Sequence, residues 1–128
     1  MLRSNWVFRR GDIYMANLNP FRGSEQGGTR PVLVLQNNTG NFYSPTLIVT
    51  PLTTKIEKKK DMPTHCQLGY TRGLDEQSVA ILEQIKTIDK SRVICYLGKL
   101  TDKQMENVEC AIQISLGIEV SKWAGSCE

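Results

Sequence analysis

The chain has few of the residues that metal sites and redox centres require. Its 128 residues include one histidine, His65, and four cysteines, none of them in a C-x-x-C pair. The cysteines are widely spaced along the chain, at Cys66, Cys95, Cys110 and Cys127, and do not match a zinc motif. We therefore expect reduced, mostly buried cysteines and a protein that uses no metal or other cofactor.

The sequence also has no apolar run approaching the ~20 residues that a membrane-spanning helix needs. Residues 1–8 (MLRSNWVF) contain no apolar stretch of the kind found in secretory signals. These absences predict a cytoplasmic protein with no membrane partner. The net charge is only +3, which suits a polyanionic partner but is too weak to indicate one.

The remaining composition is typical of one small globular domain spanning residues 1–128. Hydrophobic residues make up 40% and charged residues 23%, and a chain of this length buries a core without covalent cross-links. Short β-branched and apolar runs alternate with turn-rich stretches such as residues 37–45 (NNTGNFYSP). The pattern predicts strands at residues 12–18, 31–36, 46–52, 65–68, 78–88 and 94–97.

The period of the apolar residues changes near the end of the chain. Thr101 and Gln104 match a capping box, and apolar residues then recur at helical spacing from Met105 to Leu116. We expect a helix from Asp102 to about Val120, with flexible ends at residues 1–8 and 121–128. Many short strands and a terminal helix predict a mainly β (α+β) fold, a small and strongly curved barrel with helical decoration.

A long polar loop at residues 19–29 separates the first two predicted strands. Compact domains rarely keep loops of this length without a use. Its glycines, Gly23, Gly27 and Gly28, allow backbone N–H groups to approach a ligand closely. The loop is therefore the first indication of a binding site, although a plain connection is the competing interpretation.

Residues 10–36 (RGDIYMANLNPFRGSEQGGTRPVLVLQ) resemble the beginning of the MazF/PemK toxins, in which R-G-D and a strand precede G-S-E-Q-x-G-x-R-P-V-L-V. The likeness continues through residues 44–54 (SPTLIVTPLTT), 63–65 (PTH), 78–90 (SVAILEQIKTIDK) and 111–117 (AIQISLG), and covers roughly residues 9–118. It implies an SH3-like barrel of the MazF/CcdB type with a C-terminal helix. It also implies a homodimer, an endoribonuclease of single-stranded mRNA that needs no metal, and a MazE-like antitoxin protein that neutralises it.

The resemblance also implies a catalytic pair, Arg30 and Thr53, with an RNA-contacting loop formed by Gly23, Ser24, Glu25 and Gln26. In RNA the 2′-OH attacks the adjacent phosphorus, so an enzyme must orient the attack, stabilise the added charge and manage two protons. A planar guanidinium suits the phosphate oxygens but is a poor general base. Arg30 is therefore assigned mainly to charge stabilisation, with proton transfer to the leaving oxygen as a further candidate role. Thr53 is assigned to a hydrogen bond, and the base remains open between Glu25 and water.

Further RNA-binding candidates follow the pair along the chain. Thr54 adjoins Thr53, and the charged segment at residues 55–61 (KIEKKKD) supplies Lys55 and Lys59, which would hold phosphates without reading sequence. Three later polar residues complete the set. His65 is a candidate for contacting RNA or tuning the site, with a structural role as the favoured alternative. Glu83 and Gln84, in a late predicted strand, are candidates for contacting base edges, and a charged Glu83 that faces the core is expected to be functional or paired.

Three aromatic residues in turn-rich stretches, Phe21, Phe42 and Tyr43, are candidate stacking partners for bases, with core or interface packing as the alternative. A non-enzymatic, CcdB-like gyrase poison is the main alternative function, because a fold does not fix activity. An inactive RNA-binding module is a third. Arg30 and Thr53 in their sequence context favour the ribonuclease.

Overall fold

The computed structural model describes residues 2–54 and 62–119. Within these ranges the chain forms seven strands, two α-helices and two short 3-10 turns, Leu82–Gln84 and Lys90–Arg92. The helices are α1 (Asn38–Tyr43) and α2 (Asp102–Leu116). The strands are β1 (Asp12–Asn17), β2 (Thr29–Val34), β3 (Thr46–Thr53), β4 (His65–Gly69), β5 (Ser78–Ile81), β6 (Lys86–Asp89) and β7 (Val93–Lys99).

The strands form one antiparallel sheet in the order β4-β5-β3-β2-β1-β7, with β6 also paired to β3. The predicted mainly β fold with a C-terminal helix is confirmed. The barrel is an open one, because in the described part of the chain the outer strands β4 and β7 are not paired with each other.

The prediction of one strand at residues 78–88 is wrong. One edge of β3 pairs with β6 over Thr46–Val49 and then with β5 at Leu52 and Thr53. The 3-10 turn Leu82–Gln84 separates the two partners, so a single β-rich run in sequence folds as strand, turn and strand. Glu83 and Gln84 therefore lie on a turn and not in a strand.

Apolar side chains pack on both faces of the sheet, which explains the continuous apolar run in β2. On one face Ile13 and Leu33 pack with Met105 and Val108 of α2. On the other face Tyr14 and Val32 belong to a second cluster that includes Phe8, with Trp6 packed against it. Leu2, Trp6 and Phe8 therefore contact the sheet, while the side chains of residues 3–5 and of Val7 are exposed.

The predicted capping box at the start of α2 is confirmed, since the Thr101 side chain accepts from the Gln104 N–H and the Gln104 side chain accepts from the Thr101 N–H. The helix ends at Leu116, earlier than predicted, because Gly117 adopts a left-handed φ of 71°. The Ile118 N–H then donates to the Gln113 carbonyl at 2.8 Å, which closes the helix end. Val120 and the predicted tail at 121–128 lie outside the described residues.

Residues 37–45, predicted as a turn, contain the short helix α1. Asn37 caps it by accepting a hydrogen bond from the Gly40 N–H at 2.8 Å.

No helix in the described ranges is long and apolar enough to cross a membrane.

Candidate active site

Arg30 lies near the start of β2 and Thr53 at the end of the neighbouring strand β3. The ladder between β2 and β3 pairs Val34 with Val49 and Val32 with Pro51. Because antiparallel pairing advances one residue on each strand, the same register continued two residues further sets Arg30 against Thr53. Both line one pocket of about 250 Å³, with Pro31, Leu52, Thr54 and Ser78.

Arg30 is half-buried and its backbone is fixed by pairing with Ala16 of β1. Its side-chain Nε donates a hydrogen bond to the Gly27 carbonyl at 2.9 Å. Among the described residues, no carboxylate lies within salt-bridge distance of the guanidinium. The guanidinium therefore lines the pocket with no anion of the described residues in salt-bridge contact, an arrangement that suits binding of a phosphate.

Thr53 is 8% exposed and ends β3, where its backbone pairs with Val79 of β5. Thr54 follows on the exposed rim of the same pocket. Ser78 forms another part of the wall, and its hydroxyl donates to the Glu76 carbonyl at 3.2 Å. Sequence reasoning missed Ser78, although it begins the segment SVAILEQ and precedes the residue paired with Thr53.

The loop between β1 and β2 is held by hydrogen bonds between Arg22 and Glu25. The Glu25 carboxylate accepts a hydrogen bond from the Arg22 N–H at 2.6 Å, and the Glu25 N–H donates to the Arg22 carbonyl at 3.1 Å. Phe21 covers Gly27 so closely that a Cβ there would lie 1.9 Å from the ring, so only glycine fits. The Phe21 ring thus packs against the loop backbone at Gly27 while the residue stays 53% exposed, and its stacking on a base stays a prediction.

A second pocket, of about 370 Å³, lies between this loop and the 3-10 turn, lined by Ser24, Glu25, Glu83, Gln84, Ile85 and Lys86. The Gln84 amide bridges the two sides. Its Oε1 accepts from the Gln26 N–H at 2.6 Å, and its Nε2 donates to the Ser24 carbonyl at 3.2 Å. Gln84, expected to reach a base edge, therefore uses its amide on the loop backbone in this conformation.

His65 forms a pair with Glu83, one of the residues that line the second pocket. The His65 side chain is 2% exposed, and its Nε2 lies 2.6 Å from one Glu83 carboxylate oxygen and 2.8 Å from the other. The Thr64 hydroxyl also donates to Glu83, at 3.0 Å. Burial alone would raise the pKa of Glu83, but the hydrogen bonds from His65 and Thr64 outweigh it and lower that pKa. His65 thus lines neither pocket, and its position favours holding Glu83 over touching RNA.

A third pocket, of about 340 Å³, shares Pro31, Thr54 and Ser78 with the Arg30 pocket and extends it toward the carboxylates of Asp75 and Glu76. Sequence reasoning did not find these two residues, because nothing in their local pattern separates them from an ordinary polar turn. It also missed Arg92, whose guanidinium donates to the Asn17 and Asn19 carbonyls and fixes the start of the loop.

Several predicted site residues lie elsewhere. Lys55 and Lys59 fall outside the described residues. Phe42 and Tyr43 are exposed on α1, which precedes the start of β3, while Thr53 ends that strand. An eight-residue strand spans roughly 23 Å, so these two aromatic residues lie far from the pocket. Within residues 2–54 and 62–119, no three His, Cys, Asp or Glu side chains are grouped as a metal ion would require.

The fold places the chain among the small β-rich MazF proteins. A MazF structure from Deinococcus radiodurans matches with a TM-score of 0.76 and 25% identity, covering 88% of this chain and 99% of that one. A MazE–MazF complex from the same organism matches with a TM-score of 0.71 and 25% identity, covering 90% and 100%.

Comparison of the sequence with known families and proteins identifies the family. The profile of the PemK-like, MazF-like toxins of type II toxin–antitoxin systems matches residues 9–116. The protein named endoribonuclease MazF from Staphylococcus saprophyticus is 52% identical over 113 residues, which cover 88% of this chain and 93% of that protein. The chain belongs to the PemK-like, MazF-like toxin family, and the resemblance predicted from its motifs is confirmed.

Proposed function

We propose that this chain is a sequence-specific, metal-independent endoribonuclease toxin that cuts single-stranded mRNA and thereby inhibits translation and growth. Family membership and the 52% identity to an endoribonuclease MazF support the enzyme class. The observation that carries the chemical proposal is the single pocket shared by Arg30 and Thr53.

The reaction needs only groups that RNA and this pocket supply. The 2′-oxygen forms a bond to the adjacent phosphorus while the bond from phosphorus to the 5′-oxygen breaks. The products are a 2′,3′-cyclic phosphate, or the 3′-phosphate formed by its hydrolysis, and a 5′-OH end. One proton leaves the 2′-OH and another reaches the departing 5′-oxygen, so the reaction is balanced without a cofactor.

Arg30 and Thr53 have different roles at the phosphoryl group. The guanidinium donates two parallel N–H bonds to non-bridging oxygens, where negative charge increases in the transition state. The Thr53 hydroxyl donates a further hydrogen bond that fixes the scissile phosphate. Because both groups start from strand ends in one sheet, the phosphate is held by a rigid frame.

Proton removal from the 2′-OH falls to Glu25 or to water. Glu25 lines the neighbouring pocket and not that of Arg30, so its carboxylate reaches the nucleophile only after a shift of the loop. The single-turnover cleavage rate of a Glu25→Gln variant distinguishes the two, since a loss of about 100-fold or more, within the range of about 10²–10⁴ for general base catalysis, supports Glu25 as the base and a native rate supports water.

The remaining contacts with RNA extend from the pocket. Ser24 and Glu25 line the second pocket, with Gly23 and Gln26 next to them in the loop, and Thr54 precedes the segment that contains Lys55 and Lys59. Lysines there would bind phosphates by releasing counterions, with a strength that falls as salt rises. Choice of sequence would come from unpaired bases.

The proposal includes a homodimer that acts in the cytoplasm and a MazE-like antitoxin protein as partner. The MazE–MazF complex from Deinococcus radiodurans supports such a partner. The net charge of +3 suits an acidic antitoxin with a flexible tail that orders on the RNA groove.

Purified protein incubated with a long, sequence-diverse single-stranded RNA in EDTA tests the function. We expect discrete fragments with 5′-OH ends from the native protein and, over the same time, only a small fraction of them from Arg30→Ala. Intact RNA in both reactions would contradict the proposal. Growth inhibition by a folded Arg30→Ala variant would instead support the gyrase poison.

A further inference from the structure

The Gln84 side chain links the 3-10 turn Leu82–Gln84 to the loop between β1 and β2 through two hydrogen bonds. Its amide acts as a strand partner would, accepting from the Gln26 N–H at 2.6 Å and donating to the Ser24 carbonyl at 3.2 Å. These contacts join residues 58 and 60 positions apart in sequence. A side chain that uses both its donor and its acceptor on backbone fixes that backbone in place.

The turn that carries Gln84 is itself anchored. Leu82 is fully buried, its N–H donates to the Thr64 carbonyl at 2.9 Å, and its carbonyl accepts from the Ser115 hydroxyl of α2 at 2.7 Å. The neighbouring Glu83 is held by the buried His65 and by Thr64. The turn is therefore fixed by β4 and by α2, and Gln84 projects from a rigid base.

The loop in turn contacts Arg30. Gly27 directly follows Gln26, and its carbonyl accepts the hydrogen bond from Arg30 Nε at 2.9 Å. A shift of Gln26 would move the Gly27 carbonyl, which is the acceptor that orients the Arg30 guanidinium.

We propose that Gln84 is a positioning residue for Arg30, acting through the Gln26–Gly27 backbone, with the His65–Glu83 pair fixing the turn from which it acts. This inference rests on the proposed ribonuclease function. It assigns Gln84 to the geometry of the reaction and not to the reading of a base.

Gln84→Met keeps the length of the side chain and removes both hydrogen bonds, and Gln84→Asn keeps the amide but shortens its reach. Gln67→Met is the matched control, because Gln67 is exposed on β4 and lines none of the three pockets. With an RNA that contains the mapped site, we expect both Gln84 variants to lower kcat by about 10- to 100-fold, the loss that a misplacement of about 1 Å produces. KM and the cleavage sites should remain those of the native protein.

Coupling to Arg30 gives a second readout. In an Arg30→Lys background, which lacks the guanidinium, Gln84→Met should cause little further loss of kcat because both changes act through one contact. NMR gives a third, since Gln84→Met should speed hydrogen exchange at the Gln26 amide and at Arg30 Nε–H, while Gln67→Met should leave both unchanged.

An unchanged kcat in the Gln84 variants would overturn the inference. So would a raised KM with new cleavage sites and unchanged exchange at Gln26, which would make Gln84 a base reader. If the native protein cleaves no RNA, the proposed function fails, and the two exchange rates still decide whether Gln84 positions Arg30.

Discussion

Arg30, near the start of β2, and Thr53, at the end of β3, line one pocket of about 250 Å³. They are 23 residues apart in the sequence, yet the antiparallel pairing of β2 with β3 brings these two strand ends together. A cation and a hydroxyl donor converging on one space can bind two oxygens of the same phosphate group.

Removing the guanidinium should abolish most of the activity. We expect Arg30→Ala to lower kcat by about 100- to 1,000-fold, the usual effect of losing one donor to a developing oxyanion. Arg30→Lys should recover only part of the rate, because an ammonium group cannot form two parallel hydrogen bonds. Single-turnover cleavage of an RNA with the mapped site measures this. Arg3→Ala removes the same charge from an exposed position in the N-terminal segment, and an equal loss in that control would show an unspecific charge effect.

The Thr53 hydroxyl should contribute separately from the shape of the side chain. Thr53→Val keeps the volume and removes the donor, so kcat should fall by about 100-fold, while Thr53→Ser should retain most of the rate. Thr87→Val, at an exposed position on β6, is the matched control. Equal rates for Thr53→Val and the native protein would remove Thr53 from the mechanism.

A buried polar network should control stability without touching the pocket. Asp12 is 3% exposed and accepts from the Tyr14 hydroxyl at 2.6 Å, and that hydroxyl accepts from Trp6 Nε1 at 2.8 Å. Tyr14→Phe leaves both partners short of a hydrogen bond, so the free energy of unfolding should fall by about 1–3 kcal/mol. Chemical denaturation measures this change. Tyr70→Phe, whose ring is 85% exposed, should have no such effect.

The same tyrosine predicts a loss of stability in alkali. Burial and the hydrogen bond to Asp12 raise the pKa of Tyr14 above its ordinary value of 10.0. The unfolded chain therefore releases this proton first, and stability is full below pH 10 and falls as the pH rises further. Tyr14→Phe should lose this part of the pH dependence. Identical alkaline slopes in the two proteins would contradict the assignment.

Glu83 predicts the opposite dependence in acid. Its pKa is held below the ordinary value of 4.5, because the hydrogen bonds from His65 and Thr64 outweigh the effect of burial. The carboxylate therefore stabilises the fold above pH 4.5, and this contribution is lost as the pH falls through the lowered value. Unfolding free energies measured between pH 6 and pH 3 should fall less steeply for Glu83→Gln. A slope equal to that of the native protein would show that Glu83 is not the group that titrates.

Local patterns predicted the parts of the fold that depend on neighbouring residues. The apolar run PVLVLQ became the buried strand β2, and Thr101 and Gln104 formed the capping box. The segment SVAILEQIKTI misled because its β-branched residues favour a strand throughout. The 3-10 turn within it depends on two hydrogen bonds of Leu82, whose N–H donates to the Thr64 carbonyl and whose carbonyl accepts from the Ser115 hydroxyl, and both partners are distant in sequence.

In the site, too, motif spacing predicted some residues, while others depend on contacts between distant elements. Motif spacing placed Arg30 and Thr53 in one chemical unit, and the strand register brings them to one pocket. Spacing did not show that Gln84 holds the loop, that His65 is buried against Glu83, or that Ser78 lines the pocket. Each of these depends on which elements meet in space, and no local pattern carries that information.

The central claim is that the 2′-OH of the RNA is the nucleophile in the pocket of Arg30 and Thr53. Two RNAs that contain the mapped site and differ only by one 2′-deoxynucleotide, immediately 5′ to the scissile phosphate, test it in EDTA. The all-ribose RNA should be cut to a 2′,3′-cyclic phosphate or 3′-phosphate and a 5′-OH end, and the deoxy-substituted RNA should stay intact at that bond. Cleavage of both RNAs at the same bond would contradict the account.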